Sequence, residues 1–178
     1  ELGGRAVISD ALLDEVTALV EWPVPVAGRF DERFLELPRE VLISTLQDHQ
    51  RYFAIETDTG RLVPWFVTIS NIESRDESVV RAGNERVVRP RLADAAFFHD
   101  QDRKRPLSAW RAGLDKVTFQ AKLGSIGDKV TRVTALAEQV ATAIGADIAQ
   151  VRKEDKLYKC DLVTDMVGEF PELQGIMG

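Results

Sequence analysis

His99 and Asp100 are the adjacent pair best suited to metal chemistry, because an imidazole and a carboxylate can share a divalent ion. An ion that activates water for attack on a phosphoester is held by several such side chains together. The only other histidine, His49, lies in a different predicted part of the chain. The pattern therefore favours a solvated helix end, and we predict no metal site. A metal-dependent phosphohydrolase stays an alternative that metal analysis would test.

A single cysteine and a run of acidic residues are the other groups that could do chemistry. Cys160 has no histidine nearby in sequence, which indicates a small core residue rather than a nucleophile. Asp161 and Asp165 are spaced to share one helix face, and paired carboxylates could bind magnesium or transfer protons. A solvated acidic face continued by Glu169 and Glu172 is the interpretation we favour. We predict no catalytic residue in this chain.

The strongest electrostatic feature is a basic segment in an acidic chain. The chain has 23 Lys and Arg against 29 Asp and Glu, a net charge of −6, which argues against general coating of DNA. Residues 75–105 nevertheless contain eight basic and six acidic residues. Charge alone favours ion pairs with nearby carboxylates over RNA contact, although arginine suits bidentate contact with phosphate. The candidates for RNA or subunit contact are Arg86, Arg89, Arg91, Arg103, Lys104 and Arg105.

The spacing of apolar residues predicts an α+β fold in which a β-hairpin module precedes a helical part. Alternation across residues 51–70, interrupted by turn residues, predicts a hairpin with half-buried strands. Pro64 indicates an edge position or a bulge in its second strand. The proline-rich residues 23–28 predict an extended edge segment. No run of 18 apolar residues is present, so no membrane-spanning helix is predicted.

Helical spacing accounts for most of the remaining chain. Helices are predicted after Ser9, near Pro38 and from Asp76 onward, and Pro90 should kink or divide the third helix. A regular apolar stripe predicts a fourth helix and contains Ile126, Val130, Val133, Ala137, Val140 and Ile144. A fifth helix, capped by Asp147, is predicted to bury residues as far as Met166. We predict a domain boundary between residues 1–105 and 106–178.

Both ends of the sequence look cut. Residue 1 is Glu rather than Met, no signal segment follows it, and the chain stops at Gly178 without a polar tail. We therefore expect an internal piece of a longer intracellular protein.

Five segments, in order along the chain, resemble one family. The upstream ones are DHQRYFA at residues 48–54 and VTISNI at residues 67–72. The longer ones are GNERVVRPRLADAAFF at residues 83–98, KLGS followed by DK within residues 122–129, and KCDLVTDMVGEFPELQGIMG at residues 159–178. Together they resemble the beta subunit of bacterial two-subunit glycyl-tRNA synthetase, over nearly the whole chain.

The resemblance implies a fold and a role. It implies the C-terminal part of a B3/B4-like α+β module over residues 1–105 and the start of a helical HD-like domain over residues 106–178. Cys160 and Asp161 would occupy the place of the His-Asp pair of HD hydrolases, with cysteine replacing histidine, so that the metal site is lost. The alpha subunit would contain the chemistry and use ATP and magnesium, and no cofactor would bind this chain. Expected partners are that alpha subunit and tRNA for glycine, in the cytoplasm, without membrane or DNA.

The resemblance also bears on the basic segment. Arg86, Arg89 and Arg91 are too many charges for one helix to bury unpaired. They would face RNA, the alpha subunit or internal carboxylates, and these possibilities stay open. The competing function classes are an HD-type phosphohydrolase and a protein-interaction module without an RNA role.

Overall fold

The computed structural model describes residues 3–178 and confirms the α+β class, with small antiparallel sheets and several helices. The chain divides into two compact units, one extending to Phe97 and the other spanning Phe98–Gly178. The division lies eight residues before the predicted boundary at residue 105.

The first unit is built on a four-stranded antiparallel sheet with the order β1-β3-β4-β2. Its strands are β1 (Arg5–Ala6), β2 (Val24–Arg29), β3 (Phe53–Glu56) and β4 (Leu62–Ser70). β3 and β4 form the predicted hairpin, and the proline-rich β2 lies at an edge as predicted. An edge suits Pro25 in β2, because proline cannot donate a ladder hydrogen bond.

Pro64 lies in a bulge rather than in an edge strand. β4 is central, between β3 and β2. Its register with β3 shifts between the pairs Ala54–Phe66 and Glu56–Leu62, so three β4 residues lie opposite one β3 residue. The Pro64 carbonyl accepts a hydrogen bond from the Phe30 N–H at 3.1 Å. Of the two alternatives drawn from the sequence, the bulge is confirmed and the edge is wrong.

The prediction that β3 is half buried is wrong, because both faces of this part of the sheet are covered. On one face, Phe53 packs with Leu12 and Val16 of helix α1 (Asp10–Leu19). The opposite face includes Phe66, which stacks on Tyr52 with ring centroids 4.9 Å apart.

Helix α2 (Arg39–Gln50) accounts for the burial of the last β3 residue. The Glu56 carboxylate accepts hydrogen bonds from Arg39 of α2 at 2.6 Å and from Arg5 of β1 at 3.1 Å. These bonds, that of Arg39 above all, hold the pKa of Glu56 below its ordinary value. The Glu56 carboxylate can therefore be buried in a strand for which the alternation of residue types predicts one solvent-exposed face.

Helix α3 (Glu77–Asp102) continues through Pro90, so the predicted division of the helix is wrong. Proline removes one hydrogen bond, the one that the Arg86 carbonyl would accept. Val88 and Leu92 flank Pro90 and are almost completely buried, and their packing holds the helix together on both sides of it. The buried face is narrow, and the apolar side chains of Val79 and Val87 are exposed.

The second unit is mostly helical. It contains 3₁₀ helices at Leu107–Lys116, Cys160–Val163 and Pro171–Leu173, a hairpin of β5 (Thr118–Gln120) and β6 (Gly124–Ser125), and the helices α4 (Ile126–Ile144), α5 (Ile148–Asp155) and α6 (Asp165–Glu169). The hairpin was not predicted. The core is centred on Leu114, Val130 and Cys160.

The helical predictions in this unit are right for α4 and only partly right beyond it. α4 ends at Gly145, in the left-handed conformation, and Asp147 caps α5. The predicted long fifth helix is wrong, since α5 stops at Asp155 and Lys159 has a positive φ of 66°. Of the apolar stripe on α4, Val130 is buried but Val140 and Ile144 are 51% and 73% exposed. None of the helices within residues 3–178 has both the length and the apolar character needed to cross a membrane.

Candidate functional site

The predicted basic residues fall in both units, so we describe them as two surfaces. The helix surface is Arg86, Arg89 and Arg91 on α3, in the first unit. The loop surface is Arg103, Lys104 and Arg105, which follow α3 in the second unit.

Two of the three arginines on the helix surface have no side-chain partner among the described residues. Arg86 and Arg89 are exposed, and neither forms an ion pair or a hydrogen bond through its side chain with any residue between 3 and 178. Arg81, on the same helix, donates to Glu77 at 2.7 Å. The charge pattern of the sequence favours ion pairs with carboxylates of the same chain. Arg86 and Arg89 form no such pair among the described residues.

Arg89 lies at a cleft whose other residues were not predicted. The cleft has a volume of 550 Å³ and is lined by Arg29, Phe30, Asp31, Phe34, Glu85 and Arg89. The guanidinium of Arg29 lies 5.7 Å from the ring centroid of Trp65, its partner in register on β4. The backbone N–H of Arg29 donates to Glu85 at 2.8 Å, which joins the end of β2 to α3. Nothing local in the sequence predicts this approach, because 56 residues separate Arg29 from Glu85.

The mixed charge of the cleft limits what it can do. Arg29 pairs with Glu32, and Arg33 pairs with Asp31, and all four side chains are largely exposed. Exposed pairs of this kind are weak, about 0–1 kcal/mol each, so a phosphate could exchange with the carboxylates. The lining has two arginines and two carboxylates, so the cleft alone gives no net attraction for an anion.

The loop surface is held by an aromatic ring rather than by carboxylates. The Arg105 guanidinium lies 4.2 Å from the ring centroid of Trp110, and the Lys104 ammonium donates to the Gln101 amide oxygen at 3.0 Å. The nearest carboxylate in sequence, Asp102, accepts instead from the backbone N–H groups that begin α6. The charges of the loop surface are therefore available to an outside partner.

His99 and Asp100 do not form a metal site with other side chains. The His99 Nδ1 lies 3.9 Å from Asp100 Oδ1, and the His99 side chain is 13% exposed. Burial lowers the pKa of His99, as does the charge of Arg103, while Asp100 and Asp102 oppose the shift. Within residues 3–178, no three His, Cys, Asp or Glu side chains are grouped so that they could hold a metal ion.

Cys160 and Asp161 are both buried, and each has a structural contact. The Cys160 thiol donates to the Lys156 carbonyl at 3.3 Å, and burial raises the pKa of that thiol. The Asp161 carboxylate accepts a hydrogen bond from the Gly175 N–H, which ties the last segment to the unit. Asp161 lies in a 3₁₀ helix and Asp165 begins α6, so the prediction that they share one helix face is wrong.

Comparison with known proteins gives one consistent result. A family model described as "Glycyl-tRNA synthetase beta subunit" matches residues 1–178. The chain is 55% identical over 175 residues to the glycine–tRNA ligase beta subunit of Ectopseudomonas mendocina (strain ymp), covering 98% of this chain and 26% of that protein. It is 54% identical over 178 residues to that of Stutzerimonas stutzeri (strain A1501), covering 100% of this chain and 26% of that protein. The chain thus spans about a quarter of the length of the curated relatives it matches.

Proposed function

Because the chain belongs to the glycyl-tRNA synthetase beta subunit family, we propose that it serves tRNA recognition and subunit assembly in the ATP-dependent attachment of glycine to tRNA. The reaction itself, with its ATP and magnesium, belongs to the alpha subunit. The chain contributes no catalytic residue, binds no cofactor and works in the cytoplasm.

The observation that supports this proposal best is the solvent exposure of Arg86 and Arg89. These two exposed guanidinium groups, which have no partner within residues 3–178, raise the local positive potential of a chain whose net charge is −6. Guanidinium groups form bidentate hydrogen bonds with phosphate, and tRNA presents a phosphate at every nucleotide. The loop surface adds Lys104 and Arg105, neither of which pairs with a carboxylate within residues 3–178.

The finer domain assignment is part of the same proposal. Residues 1–105 form the end of a B3/B4-like module, and residues 106–178 begin an HD-like domain that serves as a scaffold. The buried contacts of Cys160 and Asp161 support a scaffold role, because both side chains are engaged with backbone groups of the second unit. The alpha subunit and tRNA for glycine are the partners.

The test uses the full-length chain assembled with its alpha subunit. We expect the double substitution Arg86→Ala and Arg89→Ala to weaken tRNA binding by about tenfold and to lower the slope of log affinity against log salt by about 1.8, at roughly 0.9 per phosphate. Formation of glycyl adenylate, which needs no tRNA, should not change.

Arg81→Ala is the matched control. It removes one charge from the same helix, and its effect on tRNA affinity should be smaller than that of the double variant because the charge of Glu77, 2.7 Å away, already offsets that of Arg81. Unchanged tRNA affinity and salt slope in the double variant would remove the helix surface from the interface. Loss of the alpha subunit on purification, with tRNA affinity intact, would assign the surface to assembly instead.

A further inference from the structure

The β5–β6 hairpin stands out because it exposes its residues to solvent. All three residues of β5 are exposed, and the turn that follows it is exposed as well. An isolated two-stranded ribbon is marginally stable in water. This one is held at its base, where the Ile126 N–H donates to the Val117 carbonyl at 2.8 Å.

The start of α4 fixes the path of the hairpin. Ser125 and Asp128 form a capping box, in which the Asp128 carboxylate accepts the Ser125 N–H at 2.8 Å. These hydrogen bonds lower the pKa of Asp128. Gly124 has a φ of 84°, and a Cβ there would collide with the Asp128 carboxylate. The backbone between β6 and α4 is therefore fixed, and so is the direction of the hairpin relative to the helix.

Three lysines surround the hairpin without an internal counter-charge. We call Lys116, Lys122 and Lys129 the ribbon lysines, and none of them forms an ion pair or a hydrogen bond through its ammonium with any residue from 3 to 178. The two carboxylates nearby are engaged elsewhere, Asp115 with Arg111 at 3.5 Å and Asp128 with the capping box. The three lysines thus outnumber the two nearby carboxylates.

Two apolar side chains lie among these charges. Phe119 is 39% exposed and Leu123 is 52% exposed. The Lys129 ammonium lies 4.5 Å from the Phe119 ring centroid, so one face of the ring contacts a cation. Beside them is an open polar cleft of 580 Å³ whose lining includes Lys116 and Gln120 together with the carboxylates of Asp115 and Asp128.

We propose that the hairpin binds an unpaired segment of RNA, with the ribbon lysines on its phosphates and a base stacked on Phe119. Proteins that bind single strands combine cations along the backbone with an exposed aromatic ring that every base can stack on. A duplex offers no base face to Phe119. A protein partner fits less well, because lysine is depleted in protein interfaces. The inference rests on the proposed function for the nature of the partner, but it concerns residues outside the two surfaces described above.

The experiment measures tRNA binding by the full-length chain with its alpha subunit. We expect Phe119→Ala to weaken binding about tenfold with little change in salt slope, and Phe119→Trp to retain affinity. The double substitution Lys122→Gln and Lys129→Gln should lower the salt slope by about 1.4, at roughly 0.7 per phosphate of a single strand. An oligouridylate should compete with tRNA more weakly in the Phe119→Ala variant, whereas an RNA duplex of equal length should compete equally in both proteins.

Leu136→Ala and Lys153→Gln are the matched controls, because both side chains are exposed on helices of the second unit outside the hairpin. Neither should change tRNA affinity. Unchanged tRNA affinity in the Phe119 and lysine variants would overturn the inference while leaving the proposed function intact. Loss of alpha-subunit binding without loss of tRNA affinity would also overturn it, in favour of a protein contact. Failure of the unsubstituted protein to bind tRNA would contradict both.

Discussion

At the scale of single residues, Asp102 shows how a charge in a basic segment can have a purely structural use. Its two carboxylate oxygens accept the N–H groups of Asp165 at 3.0 Å and Met166 at 2.8 Å. Both N–H groups belong to the first turn of α6 and have no partner within that helix. Thr164, the residue just before α6, accepts a third N–H of the same helix. Asp102 therefore completes the cap from a distant position in the sequence.

Asp102→Ala should therefore destabilise the protein by about 1–2 kcal/mol, because a cap is removed and two backbone donors are left without their partner. The measurement is denaturant unfolding at neutral pH. Asp100→Ala is the control, since the Asp100 side chain is largely exposed and should contribute little. Equal stability of the two variants would contradict the capping role.

His99 predicts how stability depends on pH. Burial and Arg103 lower its pKa in the folded protein, so the unfolded chain binds the proton more readily. Stability should fall as the pH decreases below about 6.5, the ordinary pKa of histidine. His99→Gln should weaken the pH dependence of the thermal unfolding midpoint below about pH 6.5. A decline equally steep in the variant would assign that proton uptake to another group.

The residue scale also shows which interactions a sequence can predict. Ser9 and Asp147 were predicted as helix caps, and both accept backbone N–H groups from their own helices. A cap of this kind is a local pattern, two or three residues long. Asp102 bonds to α6 across 63 residues, and the bond from Arg29 to Glu85 is similarly distant in sequence, so neither could be inferred without the fold.

At the scale of elements, α3 shows that packing can override a local signal. Pro90 predicts a break, but the helix continues because Val88, Leu92 and Ala95 are buried on one face. The cost of the proline remains in the helix, since the Arg86 carbonyl lacks its usual donor.

Pro90→Ala should consequently raise the free energy of unfolding by about 1–2 kcal/mol. It restores one helical hydrogen bond, and the greater freedom of the unfolded chain offsets part of the gain. Gly83→Ala is a companion variant on the same helix, where an added Cβ meets no neighbouring atom, and it should gain about 0.5–1 kcal/mol. Thermal unfolding measures both. A loss of stability in Pro90→Ala, with a gain in Gly83→Ala, would mean that α3 is bent at Pro90.

Elements with a strong period were predicted well and short irregular ones were not. α4 spans Ile126–Ile144, the same bounds as the predicted apolar stripe. The segment after Asp155 has enough apolar residues to predict a longer helix. The chain turns instead at Lys159, which has a positive φ, and continues as the 3₁₀ helix Cys160–Val163 and the short helix α6. Cys160 and Asp161 are both buried in this segment, and the spacing of apolar residues does not predict the burial of a carboxylate.

At the scale of the whole molecule, the distribution of charge matters more than its sum. A net charge of −6 disfavours indiscriminate binding to polyanions. Cations without an ion pair within residues 3–178 occur in both units, and they include Arg86 and Arg89 of the helix surface, the residues of the loop surface and the ribbon lysines. The proposed contact with tRNA therefore depends on where these cations lie and not on the net charge.

If the helix and loop surfaces contact tRNA independently, their contributions to binding should add as free energies. A variant combining Arg86→Ala and Arg89→Ala with Lys104→Ala and Arg105→Ala should then weaken tRNA binding by the product of the two separate factors. Its salt slope should fall by about 0.9 for each phosphate that the protein no longer neutralises. The measurement is a titration of tRNA into the full-length assembly at several salt concentrations, with a DNA duplex as the competitor that should have little effect. A combined variant that binds no more weakly than one pair alone would mean that only one of the two units contacts the tRNA.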